Sequence, residues 1–240
     1  MICIPVVAAT QAEALRMIRE SAHLADVLEL RMDLLSDGNV KELIGAARSS
    51  SASVRVLVTN REKETACSSG EKERLGVLLE AVSSGADFVD VELTTSPVWR
   101  EEIRAAIGAN NNRTKLIISH HDFHKTPALK TLIRFFNESV KAGADVVKIV
   151  AMARSPEDNL KVLSLIPYAG RRNREIIAFC MGEQGRISRV MAALLGAFFT
   201  FASLERGAES ASGQLTVREM EQIFRILKSN RLIGRVSCQP

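Results

Sequence analysis

Cysteine is scarce, and so is any pattern that would give it work: four in 240 residues, with no CxxC pair, supply neither a disulfide framework nor the paired thiols of a structural zinc site. Cys3, Cys67, Cys180 and Cys238 read as reduced, mostly buried thiols. Basic residues exceed acidic ones only by 32 to 28 and form no Lys/Arg block, which argues against a nucleic-acid partner and leaves a small anionic ligand compatible. Long apolar runs are missing too. The longest, Val190 to Leu204, is broken by Gly196, Thr200 and Ser203 and falls short of the ~20 residues that cross a bilayer. No basic leader precedes the apolar start, so the expectation is a cytoplasmic protein without signal peptide or membrane partner. No Pro/Gly/Ser-rich linker interrupts the chain either, and with 46% hydrophobic and 25% charged residues it reads as one globular domain over 1–240.

What the chain does contain is alternation. Short β-branched runs at 2–9, 27–31, 54–59, 88–93, 115–119, 146–150, 176–179 and 197–202 predict strands. Helical periodicity between them predicts helices near 11–23, 38–48, 71–84, 97–108, 126–142, 156–166, 186–195 and 216–229. Eight βα units in 240 residues fit a single (β/α)8 TIM barrel, which needs about 250. Internal repetition agrees: SSGADFVDVEL (83–93) and KAGADVVKIVA (141–151) share a helix end, Gly-Ala-Asp and a strand, with HLADVLELRMD (23–33) a weaker echo. A doubly wound open sheet uses the same units. It would favour a glycine-rich fingerprint after the first strand, and VVAATQAEA contains no glycine.

In such a barrel the C-terminal ends of the strands carry the chemistry. Strand two ends in Glu29-Leu30-Arg31-Met32-Asp33, where the period of two turns Glu29, Arg31 and Asp33 to one side, as a substrate clamp or as an ion pair plugging the interior. Strand five ends in Ser119-His120-His121-Asp122-Phe123-His124, which holds three of the four histidines. Adjacent strand residues face opposite ways, so His120 and His121 do not readily share a metal ion, whereas a general acid/base needs only one inward ring. A surface cluster of loop histidines is the plainer alternative. Strand six holds Lys148 inside an apolar run, where an amine stripped of water becomes the nucleophile a Schiff-base enzyme requires. An edge-strand lysine reaching solvent is disfavoured by the valines around it. After strand seven, Cys180 to Arg189 forms a glycine-containing loop opening a helix, in which Arg186, Ser188 or Arg189 suits an anion. After strand eight, the small-residue loop Ala208 to Leu215 reads as a lid or as an ordinary loop.

Taken in order, ELRMD, SHHDF, the lysine of DVVKIV, MGxxGxxSR and SASGQL resemble the type I 3-dehydroquinate dehydratases of the shikimate pathway, over nearly the whole chain. The resemblance implies a (β/α)8 barrel, a homodimer, and catalysis without metal or organic cofactor. It implies Lys148 as the Schiff-base lysine and His121 as the general acid/base. It further implies substrate contacts from Glu29, Arg31, Arg61 and Arg189, the last gripping a carboxylate, and from Ser210 and Gln214 in the lid. Glu29 is expected to orient His121 or to offset positive charge. The chain departs from the family pattern after Arg61, where Glu-Gly-Gly usually follows; Glu64 stands in that stretch one residue nearer to the arginine. Phe179 occupies a place where the family often has a pocket methionine. Two alternatives remain: a class I aldolase acting on a phosphorylated substrate from the same barrel, and a non-catalytic barrel that binds a small anion. The terminal RLIGRVSCQP is similar to the opening of a shikimate dehydrogenase, which is fused behind this enzyme in some organisms.

Overall fold

The structure of the chain, a computed structural model, describes residues 1–61 and 69–227. Eight parallel strands alternate with helices in one nearly closed (β/α)8 barrel: β1 (Ile2–Val6), β2 (Val27–Arg31), β3 (Arg55–Thr59), β4 (Phe88–Glu92), β5 (Lys115–Asp122), β6 (Val146–Met152), β7 (Glu175–Met181) and β8 (Thr200–Phe201). β1 pairs with β2 on one side and β8 on the other, Cys3 lying level with both Val27 and Phe201. The seam between β7 and β8 is stitched by the Phe198 amide donating to the Ile176 carbonyl at 2.8 Å.

The helices are α1 (Gln11–Ser21), α2 (Val40–Ser50), α3 (Ser69–Ser83), α4 (Pro97–Ala109), α5 (Leu129–Lys141), α6 (Pro156–Leu163), α7 (Leu165–Gly170), α8 (Arg186–Leu194) and α9 (Val217–Leu227). Their starts follow local chemistry. Thr10 and Asn39 cap α1 and α2 by accepting from the Glu13 and Glu42 amides, and Ser155 with Asp158 forms a capping box on α6. The predicted helix over 126–142 begins later, at Leu129, because Thr126 precedes Pro127 and is barred from the helical region, its hydroxyl donating instead to the Met152 carbonyl. The predicted helix over 156–166 is two pieces: Pro167 has no N–H to return to Leu163, and the chain restarts at Leu165. Strand eight is shorter than expected because the Ala197 amide still closes α8 onto Ala192, leaving only Thr200 and Phe201 extended. No helix among the described residues is long and apolar enough to cross a membrane.

The alternation of each strand divides the molecule into two cores. Outward side chains such as Leu28, Leu30, Val89 and Ile149 bury against the helices. Inward side chains fill the barrel in layers. At the N-terminal end, Phe88, Phe198 and Phe199 form an aromatic plug with ring centroids 5.4–5.9 Å apart, and Phe201 continues it upward 5.5 Å from Phe199. This plug closes the floor so that polar side chains above it meet water only through the opposite mouth. Replacing Phe199, which is fully buried, by alanine is expected to cost about 3–5 kcal/mol in chemical unfolding.

Candidate active site

Above the aromatic floor the inward positions turn polar. Register sets the level: Glu92 lies beside Ser119 and Ser119 beside Lys148, while Thr59 lies beside both Arg31 and Asp90. Lys148 is 3% exposed, and its ammonium is desolvated among groups that replace water. Nζ donates to Asp90 Oδ2 at 2.8 Å, lies 3.6 Å from Glu29 Oε1, and sits 4.7 Å above the Phe201 ring. Glu29 is held from the other side by the Thr59 hydroxyl at 2.8 Å. Asp90 is the hub. Besides Lys148 it receives Arg61 Nη2 at 3.0 Å on Oδ2 and the Ser119 hydroxyl at 2.5 Å on Oδ1. Burial pushes its carboxyl up, but the Arg61 and Lys148 charges outweigh that and hold it well below the usual carboxylate range.

Arg61 also reaches Glu92 Oε1 at 3.5 Å and Ser119 Oγ at 3.3 Å. Glu92 in turn lies 3.5 Å from Arg74 of α3, whose guanidinium binds the Asn60 carbonyl at 3.2 Å and so ties the helix to the end of β3. His121 faces the cleft beside Phe123, with ring centroids 5.8 Å apart, whereas His120 points outward and stacks on Phe135 of α5 at 3.7 Å. Desolvation, with the Arg61 and Lys148 charges adding to it, drives the His121 pKa well below 6.5, so the ring is neutral at pH 7 and can accept a proton. Arg31 does not point free into the cleft. Past the end of β2 the chain turns through a 3-10 segment, and Asp33 grips Arg31 by two bonds, Nε to Oδ1 at 2.9 Å and Nη2 to Oδ2 at 2.6 Å.

Arg189, near the start of α8, is 1% exposed and differs from these cations. Its Nη2 donates to the Ser212 carbonyl at 3.2 Å, and its Nε and Nη1 have no hydrogen-bond partner among the described residues. Burial lowers its pKa to about 10. Of the other two candidates in that loop, Arg186 is exposed and Ser188 is spent locally, accepting from the Cys180 amide and donating to the Gly185 carbonyl. The loop after β8 folds over the mouth. Ser210 and Gln214 bond each other twice, at 2.9 and 3.0 Å, and the Gly182 amide donates to the Ser212 carbonyl. Gly213 has φ +80° and presses on the Gly182 carbonyl, where no side chain fits.

Glu29, Arg31, Arg61, His121, Lys148, Arg189, Ser210 and Gln214 therefore line one cleft of about 550 Å³, its open mouth included, with Val150, Phe179, Met181 and Phe201 as apolar wall. Glu64 lies outside the described residues. Of the two roles expected for Glu29, its contacts favour the offset of positive charge: Oε1 lies 3.6 Å from Lys148 Nζ and accepts from the Thr59 hydroxyl at 2.8 Å. Asp90, Glu92 and Ser119 were not singled out from the sequence. The signal was present in the same alternation that exposed Glu29, since FVDVE places Phe88, Asp90 and Glu92 on one face.

Fold and cleft together define a (β/α)8-barrel enzyme with its chemistry at the C-terminal mouth. Residues 2–231 match the model of the type I 3-dehydroquinase family, and the chain belongs to that family. Curated 3-dehydroquinate dehydratases are similar along nearly their whole length: that of Methanococcus maripaludis strain C7 is 34% identical over 230 residues, spanning 95% of this chain and 100% of the relative. That of Methanopyrus kandleri is 36% identical over 204 residues, spanning 85% and 88%. Among solved structures, the 3-dehydroquinate dehydratase of Geobacillus kaustophilus superposes with a TM-score of 0.84 at 27% identity, covering 96% of this chain and 91% of that one. The Clostridium difficile type I enzyme, solved with covalently modified comenic acid, gives 0.82 at 26%, covering 94% and 91%. A 3-hexulose-6-phosphate synthase gives 0.61 at 16% identity, covering 92% and 98%, a likeness of fold alone.

The displaced histidine pKa has a measurable consequence for stability. Between 6.5 and the lower folded value the unfolded chain binds a proton on His121 that the folded one refuses, so stability falls as pH drops through that window. His121→Asn should flatten the fall below pH 6.5 in urea titrations relative to the parent chain; an unchanged profile would show that the ring is not held neutral.

Proposed function

We propose that this chain dehydrates 3-dehydroquinate to 3-dehydroshikimate through a Schiff base on Lys148, with His121 as general acid and base. The observation that carries the reading is a desolvated lysine in hydrogen bond to a buried carboxylate, 2.8 Å from Asp90, in the same cleft as a neutral histidine. Removing a proton beside a ketone needs an electron sink, and an iminium supplies one.

The sequence of steps follows from the groups present. Lys148 gives up its ammonium proton to the neutral imidazole, and the free amine adds to the substrate ketone. The carbinol hydroxyl takes that proton back from His121 and leaves as water, giving a neutral imidazole and an iminium whose positive charge takes the place of the ammonium beside Asp90 and Glu29. His121 removes a proton from the carbon next to the iminium. The resulting enamine expels the β-hydroxyl, to which His121 returns a proton, so a second water departs. Hydrolysis consumes one water, frees the product ketone and restores Lys148, and the balance is one water lost.

Binding is assigned on the same terms. Arg189, with two unused donors, receives the carboxylate. Arg31, Arg61, Ser210 and Gln214 line the volume where the ring hydroxyls lie. The reading extends to a step of the shikimate pathway, a homodimer and chemistry carried by side chains alone, which rest on the family resemblance, and to a single cytoplasmic domain.

Following the ultraviolet absorbance of the conjugated enone tests it. The parent chain is expected to convert 3-dehydroquinate, Lys148→Ala to show no turnover, and His121→Ala to lose about 10²–10⁴-fold in kcat. Turnover by Lys148→Ala at the parent rate would overturn the mechanism.

A further inference from the structure

Four cations line the cleft, and three of them are held by carboxylates: Arg31 by Asp33, Arg61 by Asp90 and Glu92, Lys148 by Asp90 and Glu29. Arg189 has no carboxylate partner among the described residues. What lies against it is an aromatic face, with Cζ 4.6 Å from the centroid of the Phe179 ring. Phe179 is itself 4% exposed and is packed on Phe201 at 5.6 Å, and Phe201 carries Lys148 on its own ring. A buried guanidinium satisfied by carboxylates would be closed to a further anion. One left against apolar side chains alone would be costly to bury. An aromatic face avoids both outcomes, because its quadrupole attracts the cation through the plane of the ring and leaves the N–H edge free.

We propose that Phe179 is a positioning residue: its ring is the shelf that holds the Arg189 guanidinium with Nε and Nη1 unpaired and ready for a substrate carboxylate. The inference rests on the assignment of Arg189 as carboxylate receptor and adds the residue that prepares it. Two supports fix the plane of the guanidinium, the Phe179 face and the Ser212 carbonyl that takes Nη2. Removing the face leaves a single hydrogen bond, about which the group can swing. Affinity for a carboxylate then falls further than affinity for a neutral ligand of the same shape, since the loss of apolar wall bears on both alike.

The test uses quinate, a cyclohexane carboxylate without the ketone, and its neutral carboxamide, with both dissociation constants measured calorimetrically on the full chain. The quantity read is the ratio of the two affinities, because a general packing defect weakens both ligands together. The parent chain is expected to prefer the carboxylate, Phe179→Leu to lose that preference about tenfold, and Phe179→Tyr, which keeps a ring face, to retain it within about twofold. Tenfold corresponds to about 1.4 kcal/mol. Should the leucine variant lose its fold, Phe179→Met fills the volume without a ring and takes its place. A ratio unchanged in the ring-less variant would overturn the proposal. If the parent chain shows no preference for quinate and Arg189→Met changes nothing, the assignment of Arg189 itself fails, a result distinct from that of the shelf.

Discussion

An ammonium group buried at the centre of a barrel cannot stand alone, and the arrangement of the upper half of this molecule follows from that constraint. Lys148 is 3% exposed and sits over the Phe201 ring, so its hydration has to be replaced by fixed groups. Asp90 does so directly and Glu29 in support, and each is secured in turn, Asp90 by Ser119 and Arg61, Glu29 by Thr59. Removing one member of such a buried set leaves an uncompensated charge, at a cost of about 3–5 kcal/mol. The network therefore binds β2, β3, β4, β5 and β6 together around the Lys148 ammonium.

Charge placement then separates two kinds of cation. Those matched by carboxylates organise the protein, and Arg61 in particular links the lysine's counterion to Glu92, Arg74 and the end of β3. Arg189 is left unmatched, its guanidinium between the Phe179 ring and a carbonyl of the loop that covers the mouth. The position of that loop depends on close backbone contact between Gly213 and Gly182, which a Cβ would prevent. Arg189 thus joins the cleft wall to that loop, its Nη2 bonding the Ser212 carbonyl.

Much of this was legible in the sequence for definite reasons. Strand alternation and the repeated Gly-Ala-Asp helix ends announced the eight βα units, and the polar residues that follow each apolar run marked the mouth. Lys148 stood out because an ammonium conflicts with an apolar strand, and His121 because three of the four histidines gather at the end of strand five. The partners of Lys148 were harder to see. Asp90 sits in DVEL, whose acidic residues look like an ordinary polar face until the register of β4 against β5 brings them level with the lysine's neighbours. Arg31 was legible as a cleft residue but not its fork with Asp33, because the chain leaves the strand at Met32 and the period of two no longer applies. The break between α6 and α7 was signalled by Pro167, while the short β8 was not, since its length is set by hydrogen bonds from α8 and β1.

The central claim is that Lys148 is the amine that carries the substrate. Its most direct measurement is to incubate the folded chain with 3-dehydroquinate, reduce with borohydride, and map the modified peptide by mass spectrometry. The account predicts one adduct, on Lys148, in the peptide spanning β6. Turnover with no trapped adduct, or an adduct on any other lysine, would contradict it.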